Sequence, residues 1–168
     1  ANCEVVEIDG LPLVQGKAAG SCDIRAVKSA SRNYLNAESA TQSFTVVKAR
    51  QFIRFTSIIP QTPKAFGSPG ADEDDYEYDP TAVASSQLPV NISIATEFDS
   101  SGSPIVSACT ASGTKITFVG SGRCVLVATQ VGNSNFLEAP SISQIVEVDK
   151  LNQTITFGAL SDVEFGDQ

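Results

Sequence analysis

The sequence predicts an all-β fold made of antiparallel β-sandwich modules in tandem. Three observations predict it: a self-match at a spacing of 102 residues, short runs of β-branched residues separated by turn residues, and no convincing 3.6-residue period. The 168 residues are 42% hydrophobic, which is enough apolar surface for a packed core. We therefore expect a folded chain rather than a disordered one.

The chain matches itself without gaps when it is shifted by 102 positions. The matched pairs include Cys22 with Cys124, Tyr34 with Phe136, Leu35 with Leu137, Ala37 with Ala139, Gln42 with Gln144, Gln51 with Gln153, Ile53 with Ile155 and Phe55 with Phe157. A period of about 100 residues suits a β-sandwich module and is too long for one turn of a solenoid. The phase predicts the later half of a module at residues 1–48, a complete module at 49–149, and the first-strand region of another at 150–168.

Short β-branched runs bounded by turn residues predict the strands. They are residues 23–27, 43–47, 51–55, 90–94, 115–119, 124–128, Ile142–Val148 and 153–157. Residues 51–55 and their copy at 153–157 alternate with a period of two and are expected to be first strands. The alternation is interpreted as placing Ile53 and Ile155 on the opposite face from their flanking aromatic residues.

The ends of the chain predict incomplete modules. We interpret the chain as a window from a longer array and, as the alternative, as a subunit whose ends are incomplete alone. Residues 1–48 lack the early strands that would cover the apolar side chains of Ile24, Val27, Phe44 and Val46. An unpaired strand beside exposed apolar side chains is a template for pairing, so we expect neighbouring polypeptide to cover both ends.

The four cysteines form two candidate pairs, Cys3 with Cys22 and Cys109 with Cys124. Each pair brackets a predicted hairpin, with Asp9-Gly10 and Ser112-Gly113 as the turns. Because both copies keep one cysteine before the hairpin and one after it, we assign intramodule disulfides formed in an oxidising compartment. The alternative is two buried free thiols in each module. A disulfide that closes a loop of about 15 residues contributes about 3 kcal/mol.

The composition excludes several classes of function. Histidine is absent, which removes Ser-His-Asp and Cys-His chemistry and the commonest zinc ligand. The remaining acid and base groups are carboxylates and lysines, and the acidic patch lies in a loop without flanking hydrophobic cover, so we predict that the chain is not an enzyme. The net charge of −8 repels phosphate backbones, and no apolar run approaches the length of a membrane span. We expect neither nucleic-acid binding nor membrane insertion.

The acidic segment, residues 72–79, carries six of the nineteen carboxylates. It predicts one of three roles: a calcium site, a solvated loop, or a contact with a protein or a glycan. The candidate calcium ligands are Asp72, Asp74, Asp75, Glu77 and Asp79, although their spacing matches no EF-hand loop. Tyr76 and Tyr78 favour the contact role, because tyrosine supplies contact area at low entropic cost. No cofactor other than calcium is predicted.

The run Asn133-Ser134-Asn135-Phe136 predicts a sandwich corner. Asparagine side chains cap the local backbone in such turns, and the phenylalanine ring fills the corner. A ligand-binding role for Asn133 or Asn135 is the alternative.

The chain contains the segments ASSQLPV at 84–90, GRC at 122–124, GNSNFLEAP at 132–140 and QTITF at 153–157. These segments and their order resemble the bacterial immunoglobulin-like repeats of very large secreted surface proteins, over essentially the whole chain. The resemblance implies extracellular immunoglobulin-like β-sandwiches that serve as stalks or adhesive arrays. Two features depart from the pattern: Ser31-Arg32-Asn33-Tyr34 replaces the run at 132–136 in the first copy, and the acidic stretch 70–79 is long.

These observations predict a non-catalytic, extracellular structural or adhesive repeat array, such as a stalk, a filament or a surface layer at the cell surface. The expected partners are neighbouring repeats or copies of the chain head to tail, together with a surface glycan or protein. The alternative is a cation-dependent module that binds carbohydrate or protein through the acidic segment.

Overall fold

The computed structural model describes residues 2–65, 67–160, 162 and 166. Within them the backbone forms antiparallel strand pairs and one four-residue helix, so the predicted all-β class is confirmed. Residues 161, 163–165, 167 and 168 of the predicted third segment lie outside the described residues, as do residues 1 and 66.

The N-terminal region, residues 2–48, consists of three antiparallel strand pairs. Its strands are β1 (Cys3–Ile8), β2 (Leu11–Gly16), β3 (Gly20–Ile24), β4 (Val27–Lys28), β5 (Ala37–Glu38) and β6 (Gln42–Val46). β1 pairs with β2, β3 with β6, and β4 with β5. The turn between β1 and β2 is Asp9-Gly10, as predicted, with φ of 53° and 76°. Two consecutive positive φ values define the type I′ turn, which an Asp-Gly sequence favours.

The central region, residues 49–149, contains the remaining elements. They are β7 (Ile53–Phe55), α1 (Glu73–Tyr76), β8 (Glu77–Tyr78), β9 (Ala82–Ala84), β10 (Asn91–Ile94), β11 (Glu97–Phe98), β12 (Pro104–Ile105), β13 (Cys109–Ser112), β14 (Lys115–Phe118), β15 (Gly122–Thr129) and β16 (Ile142–Val148). Two sheets have three strands each, in the orders β10-β15-β16 and β13-β14-β8. β7 pairs with β9, and β11 with β12.

The packed core lies almost entirely in the central region. The main core cluster consists of Tyr78, Ala108, Cys109, Ile116, Phe118, Cys124, Leu126, Val146 and Val148. The small core cluster consists of Ile53, Ala128 and Ala139. β15 contributes to both clusters: Cys124 and Leu126 belong to the main one, and Ala128, two positions further along the same face, belongs to the small one. Among the described residues of the N-terminal region, Cys22 is the one buried apolar side chain.

The N-terminal region exposes the apolar face that the central region covers. Leu126 and Val146 are 0% and 1% exposed. Their counterparts under the 102-residue shift are Ile24, which is partly buried, and Phe44, which is 42% exposed. In the central region, β10 and other elements that precede β13 supply the cover through Phe55, Ile59, Ile92 and Ile94. Residues 2–48 contain no counterpart of those elements.

Phe55 corrects the predicted alternation along the first strand of the central region. Phe52 is on the opposite face from Ile53, as expected, and is 62% exposed. Phe55 lies two positions after Ile53 and therefore shares its face. Its ring packs against both core clusters.

The first strand predicted at residues 153–157 is not formed. Residues 149–160 belong to no strand, and Ile155 is 92% exposed where its counterpart Ile53 is 5% exposed. β7 exists because β9 supplies its hydrogen-bonding partner, with Ile53 opposite Ala84. The described residues after 149 offer no equivalent of β9, so a sequence suited to a strand remains unpaired.

Candidate functional site

Both assigned disulfides are present, and together they include all four cysteines. Cys3 in β1 bonds to Cys22 in β3, and Cys109 in β13 bonds to Cys124 in β15. The second hairpin turn is displaced by one residue from its prediction. Ser112 pairs with Lys115, so the turn residues are Gly113 and Thr114. Gly113 has a φ of 64°, which glycine adopts at the first central position of a type II′ turn.

The junction between the two regions is built on Ala49, which lies in the segment between β6 and β7. The backbone N–H of Ala49 donates to the carbonyl of Asn135 at 2.8 Å. The N–H of Leu137 donates to the carbonyl of Ala49 at 2.9 Å. Both backbone groups of Ala49 are thus fixed against the loop at residues 132–137, which follows β15. The connection between the regions is a bonded contact rather than a free linker.

Asn135 makes the second contact across this junction. The backbone N–H of Ala19, in the turn between β2 and β3, donates to the Asn135 side-chain oxygen at 3.0 Å. Asn133 has the turn role predicted for it, since its side-chain oxygen accepts from the N–H groups of Asn135 and Phe136 at 2.8 and 2.9 Å. The sequence predicts that Asn135 serves the local turn or binds a ligand. The inter-region contact was missed because nothing local in the sequence identifies the distant donor.

Gly132 allows this loop to close. Its φ is 78°, and a side chain there would place Cβ 2.4 Å from the carbonyl oxygen of Phe136. The tight approach lets the Asn133 N–H donate to that carbonyl at 3.0 Å. Glycine is therefore required both by backbone conformation and by space.

A buried pair of glutamines fastens the same loop to the start of β7. The Gln51 amide nitrogen donates to the Gln130 side-chain oxygen and to the Leu137 carbonyl, both at 2.6 Å. The Ser86 hydroxyl donates to the Gln51 side-chain oxygen. Gln51 and Gln130 are 4% and 8% exposed, so their polar groups depend on these partners. The repeat of Gln51 at Gln153 was the only sequence signal of this role.

A turn in the N-terminal region repeats one backbone hydrogen bond of the junction loop. Ser31 and Tyr34 are the counterparts of Asn133 and Phe136 under the 102-residue shift. The Ser31 N–H donates to the Tyr34 carbonyl at 2.9 Å, which matches the bond from Asn133 to Phe136. Phe136 is partly buried at the junction, whereas Tyr34 is 77% exposed.

The acidic segment uses two of its five candidate calcium ligands in ion pairs. Asp75 pairs with Lys64 at 2.7 Å, and Glu77 pairs with Lys115. The hydrogen bond from Lys64 holds the pKa of Asp75 below its ordinary value. The hydrogen bond to Glu77 raises the pKa of Lys115. Asp72 precedes α1 as its N-cap residue.

The remaining candidates, Asp74 and Asp79, are exposed. Within the described parts of the chain, no three carboxylate or cysteine side chains converge on a position where they could hold a metal ion. Calcium binding here stays a prediction. The predicted surface role of Tyr78 is wrong, because this side chain is 7% exposed and belongs to the main core cluster. Its hydroxyl donates to the Gln144 side-chain oxygen at 2.8 Å.

Family models, curated proteins and solved structures yield no match to this chain. The family resemblance drawn from the sequence segments therefore stays a prediction. None of the described helices has the length and apolar character needed to cross a membrane. The disulfides are compatible with an extracellular location.

Proposed function

We propose that the chain is part of a tandem array of immunoglobulin-like β-sandwich modules with a structural or adhesive role outside the cell. The observation that carries the proposal is the bonded junction at Ala49 and Asn135. A connection held by hydrogen bonds on both sides restricts bending between the regions, which is what a spacer or a filament requires. The internal match at 102 residues supports a repeat of the same connection along an array.

The disulfides support the extracellular part of the proposal. Each disulfide joins two strands of one region and therefore limits how far that region extends under load. We also propose that the chain is not catalytic. The absence of histidine from the sequence supports this, together with the ion pairs that occupy Asp75 and Glu77. The alternative of a cation-dependent binding module has less support, since those ion pairs already neutralise two of its five carboxylates.

The location is tested by labelling cells of the source organism with antibodies raised against this chain. The proposal expects intact cells to be labelled and imaging of released surface material to show a linear, evenly spaced structure. Labelling that appears only after permeabilisation would contradict an extracellular role.

The stiff junction is tested by small-angle scattering of Asn135→Ala, which removes the acceptor for Ala19. We expect the variant to gain flexibility and a larger maximum dimension than the parent chain. Ser134→Ala changes an exposed neighbour in the same loop and is the matched control. Identical scattering of Asn135→Ala and the parent would show that the Asn135 side chain does not restrict bending, since both backbone bonds of Ala49 remain in this variant.

A further inference from the structure

The chain carries a second groove that matches the internal junction. The junction groove is lined by residues that include Ala19, Val47, Ala49, Asn135 and Phe136. Under the 102-residue shift, Ala19, Val47 and Ala49 correspond to Ser121, Asp149 and Leu151. These three counterparts line a groove at the far end of the central region, with Ala65, Ser68 and Pro69 among its other residues. The second groove therefore reproduces one half of the junction.

The N-terminal region carries the complementary half. The turn from Ser31 to Tyr34 has the backbone hydrogen bond of the junction loop, and Asn33 stands where the loop has Asn135. Tyr34 is 77% exposed, and Leu35, the counterpart of Leu137, is 88% exposed. The turn thus presents the groups that the second groove would receive.

The small core cluster gives an independent match. Its members Ile53, Ala128 and Ala139 correspond to Ile155, Ala26 and Ala37, with the same residue type at all three positions. In the central region the three side chains are buried together. Their counterparts lie apart in the chain and are all exposed, with Ile155 at 92%.

We infer that residues 149–157 of one copy and the N-terminal region of a second copy form an interface that repeats the internal junction. Ile155 packs against Ala26 and Ala37 of the second copy, as Ile53 packs against Ala128 and Ala139. The Asn33 side chain of the second copy accepts a hydrogen bond from the backbone N–H of Ser121, and the residues around Tyr34 pair with Leu151.

This inference rests on the proposed array and names the surfaces and the partner, which is a second copy of this chain. The two surfaces differ, so the contact is heterologous and each added copy leaves one of each surface free. Several positions differ from the internal junction, among them Asp149, which stands where the junction has Val47. Another is Lys28, which is the counterpart of Gln130. The Gln153 amide suits this change because its oxygen accepts from an ammonium group where Gln51 donates to an amide oxygen.

Sedimentation velocity of the full chain over a range of concentrations tests the inference. We expect open-ended association of the parent chain, weakened at least about tenfold by Ile155→Asp, which removes one buried apolar side chain from the interface. Leu160→Asp is the matched control. Leu160 is 81% exposed, and its counterpart Ile58 remains 85% exposed in the central region, so this substitution should leave association unchanged.

A mixing experiment separates the two surfaces. Ala37→Arg changes an exposed position of the N-terminal region, which is the receiving surface because it packs against Ile155 of the other copy. Ile155→Asp changes residues 149–157, which are the donating surface. At a concentration at which each variant alone is monomeric, a mixture should form dimers and stop there, because only one competent pair of surfaces remains. A mixture that stays monomeric while the parent chain associates would overturn the proposed surfaces, as would unchanged association of Ile155→Asp.

A parent chain that stays monomeric up to about 1 mM, where binding would be worth about 4 kcal/mol, would also overturn the inference. That result leaves the proposed array intact if antibodies still label intact cells, because neighbouring modules of one polypeptide can form the same contact. Labelling only after permeabilisation would instead overturn the proposed function.

Discussion

Gln51 shows how a single buried amide organises the central region. Its nitrogen reaches a side chain and a backbone carbonyl, and its oxygen accepts from Ser86. A buried hydrogen-bonded group of this kind adds little net stability. Removing it lowers the stability more, because its partners are left buried without a hydrogen bond. The partners of Gln51 come from two segments far apart in the sequence, at Ser86 and at residues 130–137, so this residue fixes their relative positions.

Replacing Gln51 with leucine is expected to lower the free energy of unfolding by about 2 kcal/mol, because Gln130 and the Leu137 carbonyl lose a buried donor. Urea denaturation, monitored by tyrosine fluorescence, measures this change in the free energy of unfolding. Gln153→Leu changes the exposed counterpart and should alter the unfolding free energy by less than about 0.5 kcal/mol. Equal effects of the two substitutions would show that the buried network does not stabilise the fold.

Gly132→Ala is expected to destabilise the chain by about 2 kcal/mol or more, because the new Cβ adds a clash with a backbone carbonyl to an unfavourable φ. Gly113→Ala is the control for φ alone. Gly113 has a φ of 64° and open space around the Cβ position, so a cost of about 1 kcal/mol is expected. If thermal unfolding shows the same loss of stability for both variants, the structure relieves the clash at Gly132 without a free-energy cost.

The ion pairs of the acidic segment predict opposite pH dependences. The pKa of Asp75 is lowered in the folded chain, so its contribution is present at neutral pH and is lost as the pH falls through that lowered value, below the ordinary 3.8. The pKa of Lys115 is raised, so its contribution is lost as the pH rises above 10.5. Both pairs are accessible to solvent, so the effects are small.

Stability curves of Asp75→Asn and Lys115→Gln check these directions. The difference between the parent and Asp75→Asn should vanish only on the acid side, and that for Lys115→Gln only on the alkaline side. Differences that persist at both extremes would mean that the side chains act through packing rather than through charge.

At the scale of elements, local patterns predicted the structure where a strand carries its partner nearby. The hairpins at Asp9-Gly10 and around Gly113 form as expected, because turn chemistry and alternation act within about twenty residues. The strand predicted at residues 153–157 fails, although its sequence matches β7, because a strand requires a hydrogen-bonding partner. The hydrogen bond to the Asn135 side chain could not be predicted from local patterns either, since its donor at Ala19 is more than a hundred residues away.

The disulfides predict two steps in force spectroscopy. Under oxidising conditions each disulfide prevents the segment between its two cysteines from being extended. Reduction should lengthen the unfolded chain by about 50 Å for the 15-residue separation of Cys109 and Cys124, and by about 65 Å for the 19-residue separation of Cys3 and Cys22. Cys109→Ser with Cys124→Ser should remove the shorter increment alone. Equal contour lengths with and without reductant would show that the disulfides do not bear load.

At the scale of the whole molecule, burial is divided unequally between the two regions. The central region holds both core clusters, whereas the N-terminal region buries one apolar side chain and leaves many exposed. A region with so few buried contacts opens at low free-energy cost unless a covalent bond or a neighbour holds it. Its own disulfide is therefore a large part of its stability.

We expect mild reduction to unfold the N-terminal region before the central region. Cys3 is only partly buried, while Cys109 and Cys124 are 3% and 0% exposed, so the first disulfide is the accessible one. Hydrogen exchange of peptides from β3 and β6 should accelerate on reduction, while peptides from β15 and β16 keep their protection. Simultaneous loss of protection in both regions would contradict an independent core in the central region.

The exposed segment after β16 also provides a way to limit the length of the head-to-tail assembly. Lys150 lies in a segment without strands, where a protease that cleaves after lysine has access. In the head-to-tail assembly inferred above, a copy cut there keeps its receiving surface and loses its donating one. Such a copy could still join the growing end of a chain of molecules, but nothing could be added after it. A small fraction of clipped molecules would then act as terminators, and the ratio of clipped to intact copies would determine the average length of the polymer.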